Sequence, residues 1–384
     1  MHNNNTSEEQ RAFLVAVDTK EYDIDVSLNE LIELALTAGA TVVGTVVQNL
    51  KKANSSTFVG TGKLEEIKEF CTNNDIDLII FDRELSPTQI KNIEKYTGFT
   101  IIDRTMLILD IFAQRALTKE GKLQVEVAQQ KYLLPRLIGL GLSLSRLGGG
   151  IGTRGPGESK LETDRRHIRR RIDFLNVQLK ELEKQRDILR SKRKKNDVIT
   201  VAIVGYTNVG KSTLLNALTN SEVLAEDKLF ATLDLTSRSL ELPDGREVIL
   251  IDTVGLIRRL PHNLIEAFKS TLEEAVSADI ILCVCDVSSE EVKTQIEVTG
   301  ALLEELGAKD IPIITVYNKC DKLEHKLFEY KENSVSISAK TGFGLDLLKK
   351  TIANNLSDAH QKMNLKIPYE SLAILSEIRE FGKI

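Results

Sequence analysis

The chain has 384 residues, of which 42% are hydrophobic and 28% charged, and its formal net charge is −5. This composition is typical of a folded globular protein, and the length predicts two or three domains. No apolar run approaches the roughly 20 residues that span a bilayer, and residues 1–9 lack the basic and apolar stretches of a secretory signal. We therefore expect a cytoplasmic monomer without a membrane span, with peripheral membrane association left open.

Four cysteines, Cys71, Cys283, Cys285 and Cys320, are spread along the chain. Scattered cysteines in a chain of this length indicate reduced thiols rather than a disulfide framework. Cys283 and Cys285 are two residues apart in a predicted strand, so they share one face. Because no second Cys or His pair lies nearby in the sequence, buried thiols are favoured over a zinc site.

Residues 1–104 form the first predicted domain. Between residues 11 and 103, short β-branched runs alternate with helical patterns, which favours a small parallel α/β sheet. Within it, residues 59–66 read Val-Gly-Thr-Gly-Lys-Leu-Glu-Glu, a short glycine loop that opens a helix. Since the spacing falls short of a complete phosphate-binding motif, a turn followed by a helix is favoured over a second nucleotide site.

Residues 105–196 are predicted to be helical. Apolar residues recur there at alternating spacings of four and three in two segments, the pattern of an antiparallel coiled-coil hairpin. The first seam comprises Leu123, Val127, Gln130, Leu134 and Leu137, and the second comprises Leu161, Ile168, Ile172, Leu175, Leu179, Leu182 and Leu189. Pro135 is expected to kink or end the first helix, whereas a continuous second helix over residues 158–195 would extend about 57 Å.

The linker between these helices, residues 139–157, holds eight glycines and two basic residues. It is either a flexible linker or a loop ordered by a partner that approaches the backbone closely. Over residues 158–195, fourteen Lys and Arg against seven Asp and Glu give the second helix a charge of +7. That concentration favours binding to a nucleic-acid backbone over a merely solvated helix face. The candidate RNA contacts are Arg146, Arg154, Lys160, Arg165, Arg166, Arg169, Arg170 and Arg171.

Residues 197–357 form a predicted nucleotide-binding domain. A buried strand at 198–204 leads into Gly-Tyr-Thr-Asn-Val-Gly-Lys-Ser at 205–212, and a helix follows. In this strand, loop and helix context the motif predicts a phosphate-binding loop whose N–H groups face anionic oxygens. Lys211 is expected to reach the β- and γ-phosphates, and Ser212 to bind Mg²⁺.

Two further elements complete the predicted phosphate site. Thr232 lies in a polar segment where its hydroxyl can bind Mg²⁺ as the segment closes over the γ-phosphate. A buried strand at 248–251 leads to Asp252, expected to hold the metal through water, and to Gly255, expected to donate its N–H to the γ-phosphate. The predicted catalytic residues are Lys211, Thr232 and Gly255, and the predicted Mg²⁺ ligands are Ser212, Thr232 and Asp252.

Guanine recognition is predicted from Asn-Lys-Cys-Asp at 318–321 and Ser-Ala-Lys at 338–340, each directly after a strand pattern. The Asp321 carboxylate would accept from guanine N1 and N2, Lys319 would lie along the base, and the Ala339 N–H would meet O6. The predicted nucleotide contacts are Gly205, Tyr206, Thr207, Asn208, Val209, Gly210, Lys211, Ser212, Thr213, Phe230, Ala231, Thr232, Asp252, Thr253, Val254, Gly255, Asn318, Lys319, Asp321, Ser338, Ala339 and Lys340.

This domain resembles a TRAFAC-class GTPase, which implies a Ras-like mixed sheet with helices on both faces. Leu256 stands where Ras-like proteins carry the glutamine that orients the attacking water. Intrinsic hydrolysis should therefore be slow, or supported by a partner or a monovalent cation. Asn208 resembles the asparagine that binds K⁺ in some GTPases of this class, and a hydrogen bond that braces the loop explains it equally well.

Several blocks together resemble the HflX family of ribosome-associated GTPases. They are residues 59–63, 124–129, 149–158, 229–234 and 261–268. The resemblance implies binding of GTP and GDP and of the large ribosomal subunit, with the hairpin and its loop reaching rRNA near the peptidyl-transferase centre. It also implies GTP-dependent splitting or rescue of stalled ribosomes. The family usually has Phe in place of Leu256. Some of its members bind ATP through the N-terminal domain.

Two other functions stay open at this point: a GTP-regulated RNA-binding switch acting off the ribosome, and an ATP-dependent RNA remodeller acting through the N-terminal domain. The remaining residues, 358–384, form a short C-terminal extension. Within it, residues 363–384 begin like the small C-terminal domain of longer family members and are short for an independent fold, so either a degenerate domain or an incomplete chain is expected.

Overall fold

The computed structural model describes most of the chain. The described residues are 10–145, 156–196, 198–219, 229–230, 232–233, 235–259, 275–308, 311–323, 333–356 and 366–368. Two α/β units and a long helical hairpin make up this part, which confirms the predicted fold class. Of the described helices, none combines the length and the apolar character needed to cross a membrane.

The N-terminal unit is a four-stranded parallel sheet in the order β2-β1-β3-β4. Its strands are β1 (Arg11–Asp18), β2 (Thr41–Asn49), β3 (Leu78–Phe81) and β4 (Thr100–Asp103), and its helices are α1 (Ile24–Thr37), α2 (Thr61–Asn73), α3 (Pro87–Thr97) and α4 (Arg104–Arg115). Successive side chains of a strand point to opposite faces. Leu14 accordingly joins the apolar cluster that contains α1 and α4, while Phe13 and Val15 join the cluster that contains α2 and α3.

Local signals set the ends of α3. Ser86 accepts from the Gln89 N–H while the Gln89 side chain accepts from the Ser86 N–H, and Pro87 occupies the first turn. This reciprocal cap satisfies two N–H groups that the helix itself leaves unpaired. The helix ends at Gly98, whose φ of 81° suits a residue without a side chain.

The hairpin consists of α5 (Lys119–Ser145) and α6 (Pro156–Lys195). Leu123 and Val127 of α5 pack against Leu175 of α6, as the apolar seams predict. Arg171 pairs with Glu126 and Arg186 pairs with Glu120. Because rising numbers on one helix match falling numbers on the other, the two helices are antiparallel, and α6 is continuous over 40 residues.

Pro135 does not end the first helix. Helix α5 runs through it to Ser145, so the expectation that the helix could stop there is wrong. A proline removes one helical hydrogen bond, and neighbouring contacts hold the chain in place. The guanidinium of Arg136 donates to the carbonyl oxygens of Tyr132 and Leu85 and to the Asp103 carboxylate, which ties this turn to the N-terminal sheet.

The second α/β unit has a six-stranded sheet in the order β10-β9-β8-β5-β7-β6. All neighbours are parallel except β6 and β7, so the predicted mixed sheet is confirmed. Its strands are β5 (Ile199–Gly205), β6 (Thr236–Glu241), β7 (Glu247–Asp252), β8 (Ile280–Asp286), β9 (Ile313–Asn318) and β10 (Ser334–Ser336), and its described α-helices are α7 (Lys211–Thr219), α8 (Val292–Glu305) and α9 (Leu345–Asn355). The carboxyl ends of the central strands meet at one edge, where ligands of such sheets bind.

The two α/β units are in direct contact. Phe112 of α4 meets Phe230 edge-on with 4.6 Å between ring centroids, and one apolar cluster includes residues of both units. Helix α4 packs against α1 and the N-terminal strands although the predicted domain boundary falls at residue 104. The four predicted domain ranges stay a prediction.

Candidate functional site

The loop from Gly205 to Ser212 lies at the carboxyl end of β5, the centre of the sheet edge. Glycine is required at two of its positions by close approach. A Cβ atom at Gly205 would lie 2.1 Å from the Val284 carbonyl oxygen, and one at Gly210 would lie 2.5 Å from the Asn318 amide nitrogen. Gly210 also has a φ of 91°, which other residues rarely adopt. The backbone path of the loop is therefore constrained by Val284 and Asn318, which leave no room for side chains at these two positions.

Lys211 places its ammonium group inside this loop. The side chain is buried, and Nζ donates to the carbonyl oxygens of Gly205 at 3.1 Å and Tyr206 at 2.8 Å. Burial lowers the pKa of Lys211 to about 8, and the charge of Asp252 acts in the opposite direction. A partly desolvated cation encircled by backbone is suited to an anionic ligand.

Three oxygen-bearing side chains meet beside the lysine. Ser212 Oγ lies 2.6 Å from Thr232 Oγ1 and donates to Asp252 Oδ2 at 2.8 Å. Burial raises the pKa of Asp252, while Lys211, Ser212 and Thr232 lower it. Asp252 Oδ1 is buried and has no hydrogen-bond partner among the described residues. An orphaned carboxylate oxygen beside two hydroxyls is the hard-oxygen set that Mg²⁺ prefers, so these residues fit the ion.

The base-recognition segments meet at the other end of the loop. Asn318 donates to the Val209 carbonyl oxygen at 2.8 Å, and Lys319 Nζ donates to the Asn208 carbonyl oxygen at 2.7 Å. Ser338 donates to Asp321 Oδ1 at 2.6 Å, which fixes the carboxylate that was predicted to read guanine. These contacts join segments more than 100 residues apart into one pocket edge.

Two details of this edge differ from the expectations. The Ala339 N–H donates to Asn318 Oδ1 at 2.9 Å, so its contact with guanine O6 stays a prediction. The sequence also missed Asp286, which pairs with Lys319 at 2.8 Å. Burial opposes ionisation of Asp286, but hydrogen bonds from Lys319 and Ser288 outweigh it and lower its pKa. An aspartate at the end of a buried strand next to β9 was the available signal.

The segment after Asp252 lies directly on the phosphate loop. The Thr207 N–H donates to the Leu256 carbonyl oxygen at 2.7 Å, and the Leu256 N–H donates to the Gly205 carbonyl oxygen at 3.1 Å. The Leu256 side chain is buried. A Cβ atom at Gly255 would lie 2.7 Å from Thr207 Cγ2 and 3.1 Å from Lys211 Nζ. Only a glycine allows the two segments to approach so closely.

A polar network that no sequence motif indicated joins this segment to the N-terminal unit. The Tyr206 hydroxyl accepts from the Arg258 N–H at 2.5 Å and donates to Glu30 Oε1 at 3.1 Å. Arg104 pairs with Glu30 at 3.2 Å and with Asp82 at 3.0 Å, and donates to the Arg258 carbonyl oxygen at 3.4 Å. Burial raises the pKa of Tyr206, so its hydroxyl stays protonated.

Most predicted nucleotide contacts lie along this sheet edge, on the loop itself or on the ends of β7 and β9 and the segment after β10. Ala231, Arg146 and Arg154 lie outside the described residues, as does the side chain of Lys160. The short glycine loop near residue 60 starts α2, and the Gly60 N–H donates to Gln48 Oε1 at 2.9 Å. That arrangement fits the turn-and-helix interpretation.

Four of the α6 arginines that were predicted to contact RNA fall into two groups. Arg171 is bound through two nitrogens to Glu126 of α5, at 2.7 and 3.0 Å, so it braces the hairpin. Arg166, Arg169 and Arg170 are exposed and carry none of the ion pairs found among the described residues. The predicted RNA contacts therefore separate into structural and available cations.

Comparison with known proteins identifies the family. Residues 25–113 match the model for the GTP-binding GTPase N-terminal region, 115–193 match that for the GTP-binding GTPase middle region, and 200–319 match that for a 50S ribosome-binding GTPase. GTPase HflX of Caldanaerobacter subterraneus is 55% identical over 98% of this chain and 88% of its own length. The chain belongs to the HflX family of GTPases.

Other relatives agree with this family assignment. GTPase HflX of Escherichia coli is 44% identical over 94% of this chain and 86% of its own length. A solved structure of SsGBP in complex with GDP is 26% identical, covers 91% of this chain and 98% of its own, and has a TM-score of 0.51. As a member of the HflX family, the protein binds GTP and hydrolyses it. Nothing in the described part of the chain supports the potassium ion considered for Asn208.

Proposed function

We propose that this GTPase binds the large ribosomal subunit under control of its nucleotide state and splits or rescues stalled ribosomes. The observation that carries the proposal is a nucleotide site joined through β5 to a basic 40-residue helix. Only three residues separate the end of α6 from the strand that leads into the phosphate loop. The match of residues 200–319 to a 50S ribosome-binding GTPase supports the choice of partner.

Lys211 and the loop amides bind the β- and γ-phosphates in this proposal. Ser212 and Thr232 would hold Mg²⁺ through their hydroxyls, and Asp252 would hold it through water. When bound, the ion neutralises charge that develops on the phosphate oxygens. In this proposal Gly255 donates its N–H to the γ-phosphate that Lys211 also contacts.

Asp321 selects guanine. Its carboxylate is oriented by Ser338 and can accept from both N1 and N2, a pairing that adenine lacks. Lys319 covers the base while Asp286 and the Asn208 carbonyl oxygen fix its ammonium group. These contacts hold the recognition groups in place before the base arrives.

Intrinsic hydrolysis is slow. Leu256 has no group that orients water, and its backbone N–H and carbonyl are both bonded to the phosphate loop. The water attacking the γ-phosphate must therefore be oriented by another group, which the ribosome supplies. The hairpin brings the protein there through Arg166, Arg169 and Arg170, whose charges displace counterions from RNA phosphates.

Co-sedimentation tests the ribosome proposal. Large subunits are centrifuged through sucrose gradients with the protein and either GDP or a non-hydrolysable GTP analogue. The analogue should move the protein into the large-subunit fraction, and a protein that stays at the top of every gradient would contradict the proposal. Splitting is tested with intact ribosomes, which should separate into subunits only when the triphosphate is present.

Charge reversal can distinguish the contribution of the hairpin to subunit binding from that of other surface charges. Arg169→Glu with Arg170→Glu should weaken subunit binding and reduce its salt dependence by about one to two units of slope, with nucleotide affinity retained. The matched control is Lys95→Glu with Lys350→Glu, which changes the charge equally on exposed positions of α3 and α9. Equal losses in both double variants would show that net charge, rather than the hairpin, drives binding.

A further inference from the structure

The segment 255–259 occupies the side of the phosphate loop on which the γ-phosphate must bind. Gly255 is so close to Thr207 and Lys211 that a methyl group does not fit between them. A γ-phosphate that binds Lys211 Nζ and the Gly255 N–H has to fit beside this close packing, and movement of segment 255–259 would make the room. A nucleoside diphosphate lacks the γ-phosphate, so it can bind without movement of this segment.

Two sets of hydrogen bonds oppose the movement. The backbone pair between Leu256 and the loop residues Gly205 and Thr207 is the first. The Tyr206 hydroxyl is the second, because it accepts from the Arg258 N–H two residues further along. Tyr206 belongs to the phosphate loop itself, so its hydroxyl links the two segments that a γ-phosphate would separate.

The N-terminal unit fixes this hydroxyl and the far end of the segment. Glu30 accepts from the Tyr206 hydroxyl, and Arg104 holds Glu30. Asp82, with only 1% of its side chain exposed, pairs with Arg104 and with Arg259. Arg259 also hydrogen bonds to Ser27. Moving Arg259 away would remove one of the two cations paired with the buried Asp82 carboxylate, which costs free energy. The network therefore resists displacement of residues 256–259.

We propose that Tyr206 is a positioning residue that sets the preference of this site for nucleoside diphosphate over triphosphate. Its hydroxyl clamps the segment after Gly255 to the phosphate loop, and Glu30 and Arg104 of the N-terminal unit hold the clamp shut. Binding a triphosphate breaks the clamp, whereas binding a diphosphate leaves it closed. The inference rests on the guanine-nucleotide site proposed above and adds a role for contacts outside its motifs.

The variant Tyr206→Phe tests the clamp, because it removes the hydroxyl and keeps the buried ring. Dissociation constants are measured by fluorescence titration for labelled GDP and for a labelled non-hydrolysable GTP analogue, both with Mg²⁺. Loss of one hydrogen bond should shift the ratio of the two constants about three- to tenfold towards the triphosphate analogue. The control is Tyr96→Phe, which removes another hydroxyl that donates to a glutamate, Glu65, on the surface of the N-terminal unit. Its ratio should equal that of the wild type.

Glu30→Gln provides a second, independent variant. The amide keeps the shape and an acceptor oxygen but loses the charge that pairs with Arg104, so the ratio should move in the same direction. An unchanged ratio in both variants, or a parallel loss of affinity for both nucleotides, would overturn the clamp. If the wild-type protein bound neither labelled nucleotide, the guanine site itself would be wrong, and the clamp with it.

Discussion

At the scale of single residues, the site depends on side chains and backbone whose positions are restricted by close neighbours. Asp321 is held by Ser338, and Gly210 is held against Asn318. At Asp321 the function depends on a carboxylate, and at Gly210 it depends on the absence of a side chain, so even similar residues cannot replace them. Substitution there should change nucleotide binding sharply, in directions that the contacts define.

Asp321→Asn should exchange guanine for xanthine. The amide presents a donor where the carboxylate accepted from N1 and N2, and hydrogen bonds to a charged group are worth about 1.5–3 kcal/mol each. We expect affinity for GDP to fall by at least about tenfold and affinity for XDP to rise, measured by titration with labelled nucleotides. Asp346→Asn on the exposed first turn of α9 is the control. Retained GDP affinity would show that another residue reads the base.

Gly210→Ala should damage the phosphate loop. The added methyl group meets the Asn318 side chain at 2.5 Å, and the backbone φ of 91° strains any residue with a Cβ atom. We expect a lower melting temperature and loss of measurable GDP binding. The control Gly300→Ala lies inside α8 with no atom within 4 Å of the new methyl group, and should be neutral or stabilise by about 0.5–1 kcal/mol. The steric argument fails if the two variants behave alike.

At the scale of elements, the hairpin is held by apolar packing more than by its ion pairs. Leu175 is completely buried in the seam, whereas the Arg171–Glu126 pair is half exposed. Exposed ion pairs contribute at most about 1 kcal/mol, and a buried leucine truncated to alanine costs about 2–5 kcal/mol. The continuity of α6 therefore rests on the seam that its heptad pattern predicts.

Hydrogen exchange of the intact chain can compare these two contributions. Leu175→Ala should accelerate amide exchange throughout the middle of α5 and α6, because it removes packing from both helices. Glu126→Gln should change exchange only slightly in the same segments. If the charge substitution loosened the hairpin as much as the leucine truncation, the ion pairs would be the main support.

At the scale of the whole molecule, the N-terminal unit is built into the nucleotide site rather than attached beside it. Phe112 of α4 packs against Phe230, two residues before Thr232. The buried pair of Arg104 with Asp82 also connects the first sheet to the segment after Gly255. Substitutions in the N-terminal unit should therefore change the affinity of the second unit for the nucleotide phosphates.

Phe112→Ala should weaken Mg²⁺-dependent binding of the GTP analogue. Removing the ring leaves a cavity beside Phe230 and lets the segment that carries Thr232 shift, so we expect a severalfold loss of triphosphate affinity and a smaller loss for GDP. Phe70→Ala removes a ring that contacts only Phe13 among the ring pairs of the described residues, and serves as the control. Titrations are run at a temperature where both variants are folded, and equal affinities in the two would argue against this coupling.

The order of the units, the mixed sheet, the antiparallel hairpin and the positions of the nucleotide motifs were predictable from the sequence. These features follow from short-range signals: the periodicity of apolar residues, a glycine loop between strand and helix, and caps such as Ser86. Such signals act within a few residues, so they can be read without knowing the fold. The path of α5 through Pro135 was the exception, because a tertiary contact of Arg136 overrode the local rule.

The contacts between groups that are distant along the chain became visible in the fold alone. Tyr206 and Glu30 are 176 residues apart, and Arg259 and Asp82 are 177 residues apart. No periodicity or motif links such positions, because their contact depends on how two sheets pack rather than on local backbone geometry. The same holds for the ion pair between Arg171, one of the predicted RNA contacts, and Glu126 of the facing helix. The motifs show where the phosphates bind, and the packing of the two units determines which distant residues contact that site.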